Sequence, residues 1–352
     1  LVGPLTHQPF ADADGRLLPD SVQQLCILLS TAFRWCAIHG LPVGTPHYHS
    51  LSMNRAKSKL PLYISIITAT ILWGFSFIWT NDLIAMGVPI FIFIFMRMLL
   101  SGVIMLLFST ITRTLQKVAR KDMKWMFLLA FFEPFIYFIG ESYGLKITGS
   151  ATLSAVIIAT IPIFTMIMGR LLFNESLSRL NVAGIIAAVL GIVLFVWNGT
   201  ISSENYYGIL FLFLAVAGAV GYSSICKRLT STYNAITITT WQFLVGAILF
   251  FIPFMIWGLP QWRPEYLSFD VLKSVIALAV LCSSLSFVLY TKAIEGHGMT
   301  RASIFSAMIP AVSAVVAYFM GQESFTTMQI FALAIAISGV VLSQLRKSLK
   351  TV

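Results

Sequence analysis

Ten apolar windows, each long enough to cross about 30 Å of hydrocarbon, restrict the fold of this chain more than any other feature. Because 58% of its 352 residues are hydrophobic and only 10% are charged, the chain cannot cover a water-soluble surface with polar groups. The sequence therefore predicts an all-α integral membrane protein with ten transmembrane helices. The windows lie at roughly 62–80, 89–110, 125–145, 150–169, 182–197, 207–226, 236–257, 274–291, 302–320 and 327–344.

Basic residues are divided unequally between the two sides of this predicted bundle. With ten windows both termini face one side, which holds 17 of the 23 Lys and Arg residues, whereas the other side holds Lys146, Arg263 and Lys273. The remaining three are Arg16 and Arg34, which precede the windows, and Arg97, which lies inside one. The side rich in Lys and Arg is normally cytosolic. We therefore predict a multi-pass protein of the cell (inner) membrane with both termini in the cytosol.

Residues 1–52 form a leader that differs from the rest of the chain. The leader contains four of the five histidines, and its apolar stretch at 21–40 is interrupted by Arg34 and His39. His47 and His49 could bind a metal, but scattered Pro and Gly without a sustained period are more typical of a disordered segment. We expect a leader that is disordered or foreign to the native protein, and we expect no metal and no cofactor.

An internal repeat follows the leader. A shift of 148 residues aligns ATIPIFTMIMGRLLFNESLS at 159–178 with AMIPAVSAVVAYFMGQESFT at 307–326 without a gap. In both copies a Glu-Ser pair begins 13 residues after a proline, and a glycine follows 16 residues after the Glu. Chance similarity between apolar helices does not explain this pattern. Five windows per half force the second copy upside down, which is typical of secondary transporters. The predicted domains are the five-helix repeats 53–200 and 201–352.

Four segments carry a more specific pattern. They are ILWGFSFIW, PIFIFIFMRMLLSG, YGLKITGSATLSAVIIATIPIFTMIMGRLLFNES and its second copy YTKAIEGHGMTRASIFSAMIPAVSAVVAYFMGQES. Over about residues 60–345 the chain resembles the EamA-like branch of the drug/metabolite transporter (DMT) superfamily. The resemblance implies a central cavity between two five-helix halves, lined by the first, third, fourth, sixth, eighth and ninth helices, and export or exchange of small metabolites.

Charged residues inside the windows are the strongest candidates for a binding or coupling site. Only Arg97, Glu133 and Glu141 lie there. Glu133, Tyr137 and Glu141 are spaced four apart and drift only about 80° around a helix, so we expect them to share one face. That face cannot meet lipid, because a charge in hydrocarbon is costly. Glu133 could form a structural ion pair with Arg97, bind substrate or protons, or do both, whereas Glu141 near the outer end could simply face water.

Aromatic residues, prolines and glycines complete the predicted site. Trp73, Tyr222 and Tyr290 could line the cavity, although aromatic residues also pack ordinary helices. Helix kinks are expected at Pro134, Pro162 and Pro310, because proline removes a backbone donor and clashes with the preceding turn. The spacing of Gly140 and Gly144 favours close approach of another helix.

The sequence as a whole predicts a secondary active transporter that exports a small metabolite, such as an amino acid or related compound, by alternating access. A flippase for a lipid or lipid-linked sugar within the same fold is the alternative. An intramembrane enzyme is disfavoured, because no His or Asp falls in any window, and an ATP-driven pump would need a GxxxxGK[ST] loop that the sequence lacks. The expected partners are the substrate, the bilayer, protons as coupling ion and a second copy in a homodimer, but no nucleic acid.

Overall fold

Ten apolar helical segments occur among the residues that the computed structural model describes, namely 60–173, 179–197, 205–297, 302 and 305–344. Seven of them are long and apolar enough to cross a membrane, and three are shorter. The predicted all-α fold is thereby confirmed. The leader lies outside the described residues, as do Glu175 and the 198–204 connection.

The helices are numbered α1 to α10 in chain order. Their bounds are Leu60–Ala85 for α1, Ile90–Ile111 for α2, Arg120–Thr148 for α3, Ala151–Ile158 and Ile161–Phe173 for the two parts of α4, Arg179–Trp197 for α5, Asn205–Leu229 for α6, Ala235–Gln261 for α7, Phe269–Ala277, Leu278–Leu285 and Ser286–His297 for the three consecutive parts of α8, Phe305–Met308 and Ile309–Phe319 for the two described parts of α9, and Thr327–Gln344 for α10.

The packing of these helices has a twofold pattern. Helix α1 packs against α8 and α9, and α6 packs in the same manner against α3 and α4. Helices α2 and α7 pack against each other, and so do α5 and α10. Exchanging the two halves, α1 with α6 and so on through α5 with α10, leaves this set of contacts unchanged. The five-helix repeats read from the sequence are therefore related by pseudosymmetry in the fold.

The contact between α5 and α10 repeats itself at the level of single residues. A side-chain carbon added at Gly191 would collide with the backbone of Ala336, and one added at Gly339 would collide with the backbone of Ala188. The two contacts are related by the same shift of 148 residues that aligns the sequence repeats. Small residues thus let the two backbones touch at two equivalent points.

Irregular backbone precedes each of the three prolines expected to kink a helix. Glu133, immediately before Pro134, has extended torsions, φ −146° and ψ 112°, inside α3. The two parts of α4 are separated at Ala159 and Thr160, just before Pro162, and a 3₁₀ turn passes into the α-helical part of α9 just before Pro310. Proline disfavours helical torsions in the residue before it, which accounts for the break at Glu133.

Candidate functional site

A central cavity brings together side chains that are far apart in the sequence. It is bordered by α1, α3, α4, α6, α8 and α9, the helices that the resemblance implies, and also by α2 through Arg97. All seven side chains predicted for substrate binding or coupling line it: Trp73, Arg97, Glu133, Tyr137, Glu141, Tyr222 and Tyr290. The structure therefore gathers the predicted residues in one place, from both halves of the chain.

Glu133 reaches this cavity from the break in α3. Its extended backbone interrupts the helical hydrogen bonding, and Gln242 of α7 donates from Nε2 to the Glu133 carbonyl oxygen at 3.0 Å. The Glu133 side chain is 6% exposed and borders the cavity. The kink expected at Pro134 is therefore present as extended backbone at Glu133, which interrupts the regular helical spacing to Tyr137 and Glu141. The break nevertheless leaves all three side chains on the cavity.

Glu141 is one helical turn from Tyr137, on the continuous part of α3. The Tyr137 hydroxyl donates to Glu141 Oε1 at 3.2 Å. The other oxygen, Oε2, is buried and has no hydrogen-bond partner among the described residues. Glu141 is only 3% exposed, so its expected position facing outside water is wrong. A buried carboxylate oxygen without a partner is costly, which makes it a natural acceptor for a cavity ligand.

Arg97 holds a different set of contacts from the one we expected. Its Nε donates to Ser283 Oγ at 2.7 Å, and its guanidinium lies 4.1 Å from the centre of the Phe138 ring. Within the described residues no ion pair of 4.0 Å or less joins Arg97 to either glutamate, so the expected direct pair with Glu133 is not formed. Glu141 leaves one carboxylate oxygen without a partner among the described residues, and Arg97 borders the same cavity. We therefore expect the cation to compensate Glu141 more than Glu133.

Aromatic rings form a second part of the cavity lining. The Trp73 ring packs edge-on against Tyr290, with centroids 4.8 Å apart, and against Phe287 at 5.3 Å. Trp73 Nε1 donates to the Cys282 carbonyl at 3.1 Å, which fixes the indole between α1 and α8. The Tyr222 hydroxyl lies 3.1 Å from Thr291 Oγ1. These polar tips are held by the protein, so the rings present mainly their apolar faces to the cavity.

The sequence did not reveal several residues that the structure places at the cavity. Phe138, Phe287, Ser76 and Ser223 also line it, and Ser283 holds Arg97. No spacing or charge distinguishes these residues from the other Phe and Ser residues of the apolar windows. Pro134 predicted the break in α3 near Glu133, but nothing in the sequence indicated that Gln242 would bond the Glu133 carbonyl.

The cavity is small in this conformation. Its volume is about 40 Å³, room for roughly three water molecules at ~10–15 Å³ each. Sites for drug-sized ligands are usually ~300–1,000 Å³. The structure therefore describes a contracted cavity, into which a molecule as large as an amino acid would fit only after the helices move apart.

Pseudosymmetric halves around a cavity with buried charged groups define a multi-pass membrane protein of the transporter class. The model of the EamA-like transporter family matches residues 60–197 and again residues 206–345. These matches cover most of the chain, and the protein belongs to this family.

Curated relatives and a solved structure agree with this assignment. An uncharacterized transporter of Archaeoglobus fulgidus is 25% identical over 66% of this chain and 82% of its own length. The uncharacterized transporter YetK of Bacillus subtilis is 24% identical over 83% of this chain and 89% of its own. A crystal structure that is 16% identical superposes with a TM-score of 0.63, covering 81% of this chain and 98% of the other, which supports the fold alone.

Proposed function

We propose that this protein is a secondary transporter that exports an amino acid or a related small metabolite through the central cavity. The observation that carries the proposal is that Glu141 Oε2, which has no partner among the described residues, and Arg97 line one cavity built from both halves of the chain. An ammonium group would satisfy the free carboxylate oxygen, and a substrate carboxylate would pair with the guanidinium. The aromatic wall of Trp73, Tyr222 and Tyr290 would contact the apolar part of the substrate.

Polar contacts at one end of the bundle support an alternating-access cycle. Gln322, between α9 and α10, donates from Nε2 to Asp82 Oδ1 at 2.6 Å and accepts from Asn81 Nδ2 at 3.3 Å. Its neighbour Glu323 accepts through Oε1 from the Thr152 amide at 3.2 Å. These contacts tie the end of α1 and the start of α4 to the α9–α10 connection. We infer that they close this end in the present conformation and break when the cavity opens towards it.

Protons are the coupling ion that the cavity favours. Glu133 and Glu141 are both buried at one cavity, and neither forms an ion pair of 4.0 Å or less with Arg97 among the described residues. When both carboxyl groups are buried, taking up a proton is less costly than keeping two charges in a contracted cavity. A change in cavity hydration between the two sides would then release the proton. Glu133→Gln should leave the protein folded but flatten the pH dependence of transport, and an unchanged pH profile would contradict coupling through this residue.

Purified protein in liposomes tests the transport proposal. The liposomes are loaded with a mixture of amino acids and related amines, and mass spectrometry follows what appears outside. We expect at least one of these compounds to leave, and Glu141→Gln to reduce its efflux at least about tenfold, as loss of a charge-assisted hydrogen bond would. The matched control is Glu265→Gln, because Glu265 is an exposed carboxylate outside the cavity. Movement of labelled lipid without any of these compounds would instead identify a flippase.

A further inference from the structure

Six exposed basic side chains lie on the side rich in Lys and Arg, where α2 and α6 end and α3 begins. We call them the basic cluster: Arg113, Lys117, Arg120, Lys121, Lys124 and Arg228. Five come from the α2–α3 connection and the first turns of α3, and Arg228 comes from the end of α6. From residue 112 to residue 124 the sequence has a single acidic residue, Asp122. The cluster is therefore a strongly positive surface within a turn or two of the membrane-spanning helices.

Hydrogen bonds hold the backbone of this cluster in place. Asn234, at the start of α7, donates from Nδ2 to the Thr114 carbonyl at 2.9 Å and from its amide to Gln116 Oε1 at 2.7 Å. The Tyr233 hydroxyl accepts from the Ala119 amide at 3.1 Å and donates to Asp122 Oδ2 at 2.8 Å. The one carboxylate of the segment is thus engaged with a tyrosine, and the loop is fixed on the α6–α7 turn.

An aromatic side chain marks the depth of the cluster. Trp125 is half-buried, with the Arg228 guanidinium 4.2 Å from its ring centre and Lys124 Nζ 5.6 Å from it. Just beside the cations, the apolar side chains of Ile111 and Phe127 are 79% and 50% exposed. Tryptophan is enriched at the bilayer interface, and Lys and Arg extend from apolar surface towards headgroups. These features are typical of a surface at the level of lipid phosphates.

We propose that the basic cluster binds the headgroups of anionic phospholipids. Clusters of four to eight Lys and Arg residues next to membrane helices attract anionic lipid. Arg and Lys can bind a lipid phosphate through charge-assisted hydrogen bonds, and the fixed loop has little conformational entropy left to lose. The exposed Ile111 and Phe127 would contact the acyl chains of the same lipid. A soluble protein or nucleic acid fits less well, because these apolar side chains would then face water.

Native mass spectrometry of the full chain in detergent tests this proposal. The protein is titrated with phosphatidylglycerol or phosphatidylcholine, which have similar acyl chains but differ in headgroup charge. We expect phosphatidylglycerol to bind more tightly and the preference to fall with added salt, because screening weakens exposed charges. The double variant Lys121→Gln with Lys124→Gln should bind phosphatidylglycerol about tenfold more weakly or worse.

Two controls separate the cluster from general positive charge and from binding of free phosphate. Arg179→Gln with Lys292→Gln removes two exposed cations on the same side of the bundle but outside the cluster, and should change affinity less than about twofold. Equal loss in both double variants, or no preference for the anionic lipid in the unaltered protein, would overturn the proposal. So would glycerol phosphate binding as tightly as the intact lipid, because the site would then recognise a soluble phosphate.

Discussion

Gln242 of α7 donates a hydrogen bond from Nε2 to the carbonyl oxygen of Glu133, 3.0 Å away, at the point where α3 breaks. Pro134 has no amide hydrogen and disfavours helical torsions at Glu133. Backbone groups of α3 near this point therefore lack their usual helical partners. The Gln242 side chain is fully buried and comes from the other half of the chain. The side-chain amide of Gln242 thus supplies a hydrogen-bond partner for the Glu133 carbonyl at the break that brings Glu133 to the cavity.

Removing this amide should destabilise the protein. We expect Gln242→Ala to lower the free energy of unfolding by about 1–3 kcal/mol, the cost of leaving a buried polar group unsatisfied. Thermal unfolding in detergent measures the effect. Gln261→Ala is the matched control, because Gln261 is exposed and its side chain bonds, within the described part of the chain, only the Trp257 carbonyl of its own helix. Equal losses of stability in the two variants would show that the bond between α7 and α3 contributes no more to the free energy of unfolding than an exposed bond within one helix.

Arg97 and Glu141 should be energetically coupled. Arg97→Ala removes the contacts with Ser283 and Phe138 together with the expected attraction to Glu141 across the cavity, and should cost at least about 2 kcal/mol of stability. The double change with Glu141→Ala should be less harmful than the sum of the single changes, by about 0.5–3 kcal/mol. The same cycle with Glu133→Ala should give a smaller coupling. A larger coupling to Glu133 would reverse our ranking of the two carboxylates.

Close packing of α3 on α6 depends on Gly140. A side-chain carbon built at this position would lie 2.5 Å from the Phe211 carbonyl oxygen, which belongs to backbone and cannot turn away. We therefore expect Gly140→Ala to lower the folded yield and to cost about 1–3 kcal/mol. Gly102→Ala is a suitable comparison, since its nearest neighbour is the Leu244 side-chain tip at 3.3 Å. A Gly140→Ala protein as stable as the Gly102→Ala protein would contradict the predicted clash.

The contacts of Gln322 should control access to the cavity. Gln322→Ala removes the bonds to Asp82 and Asn81, so this end should open more often. The thiol introduced by Ser76→Cys, whose position lines the cavity, should then react severalfold faster with an impermeant thiol reagent added from that side. Gln329→Ala serves as the control, because Gln329 bonds only Thr326 of its own segment among the described residues. Identical labelling rates in the two variants would argue against a closing role.

Membrane orientation can be tested with fusion proteins. A reporter that is active only in the cytosol should be active when fused after Val352 and silent when inserted in the 198–204 connection. The reason is the excess of Lys and Arg on the side that holds both predicted termini. The opposite pattern of activity would reverse the orientation.

Much of the fold could be predicted because the lengths of the apolar windows and the internal repeat can both be read directly from the sequence. The spans follow from windows that match the bilayer, and the pseudosymmetry follows from the Pro, Glu-Ser and Gly pattern at a shift of 148 residues. The charged cavity residues could be identified because charged side chains are rare in apolar windows. Arg97, Glu133 and Glu141 would be costly if they faced lipid.

The partners of these charges could not be predicted in the same way. We expected a bend at Pro134, and we paired Arg97 with Glu133 because Glu141 was expected to reach outside water unaided. The extended backbone at Glu133 changes the direction of its side chain, while Ser283 and Phe138 take the guanidinium. Such contacts depend on how α2, α3 and α8 turn about their axes, and a serine or phenylalanine among many gives no signal of that rotation.

The paired contacts of Gly191 with Ala336 and of Ala188 with Gly339 have a consequence for motion. Because the halves are pseudosymmetric, we infer that in the proposed alternating-access cycle each half adopts the conformation that the other half had before. An interface that maps onto itself under this exchange keeps the same geometry in both states, whereas α1 against α9 and α6 against α4 trade places. We therefore expect α5 with α10, and likewise α2 with α7, to keep their mutual geometry, so that these pairs give a frame of reference for measuring the displacement of α1, α3, α4, α6, α8 and α9.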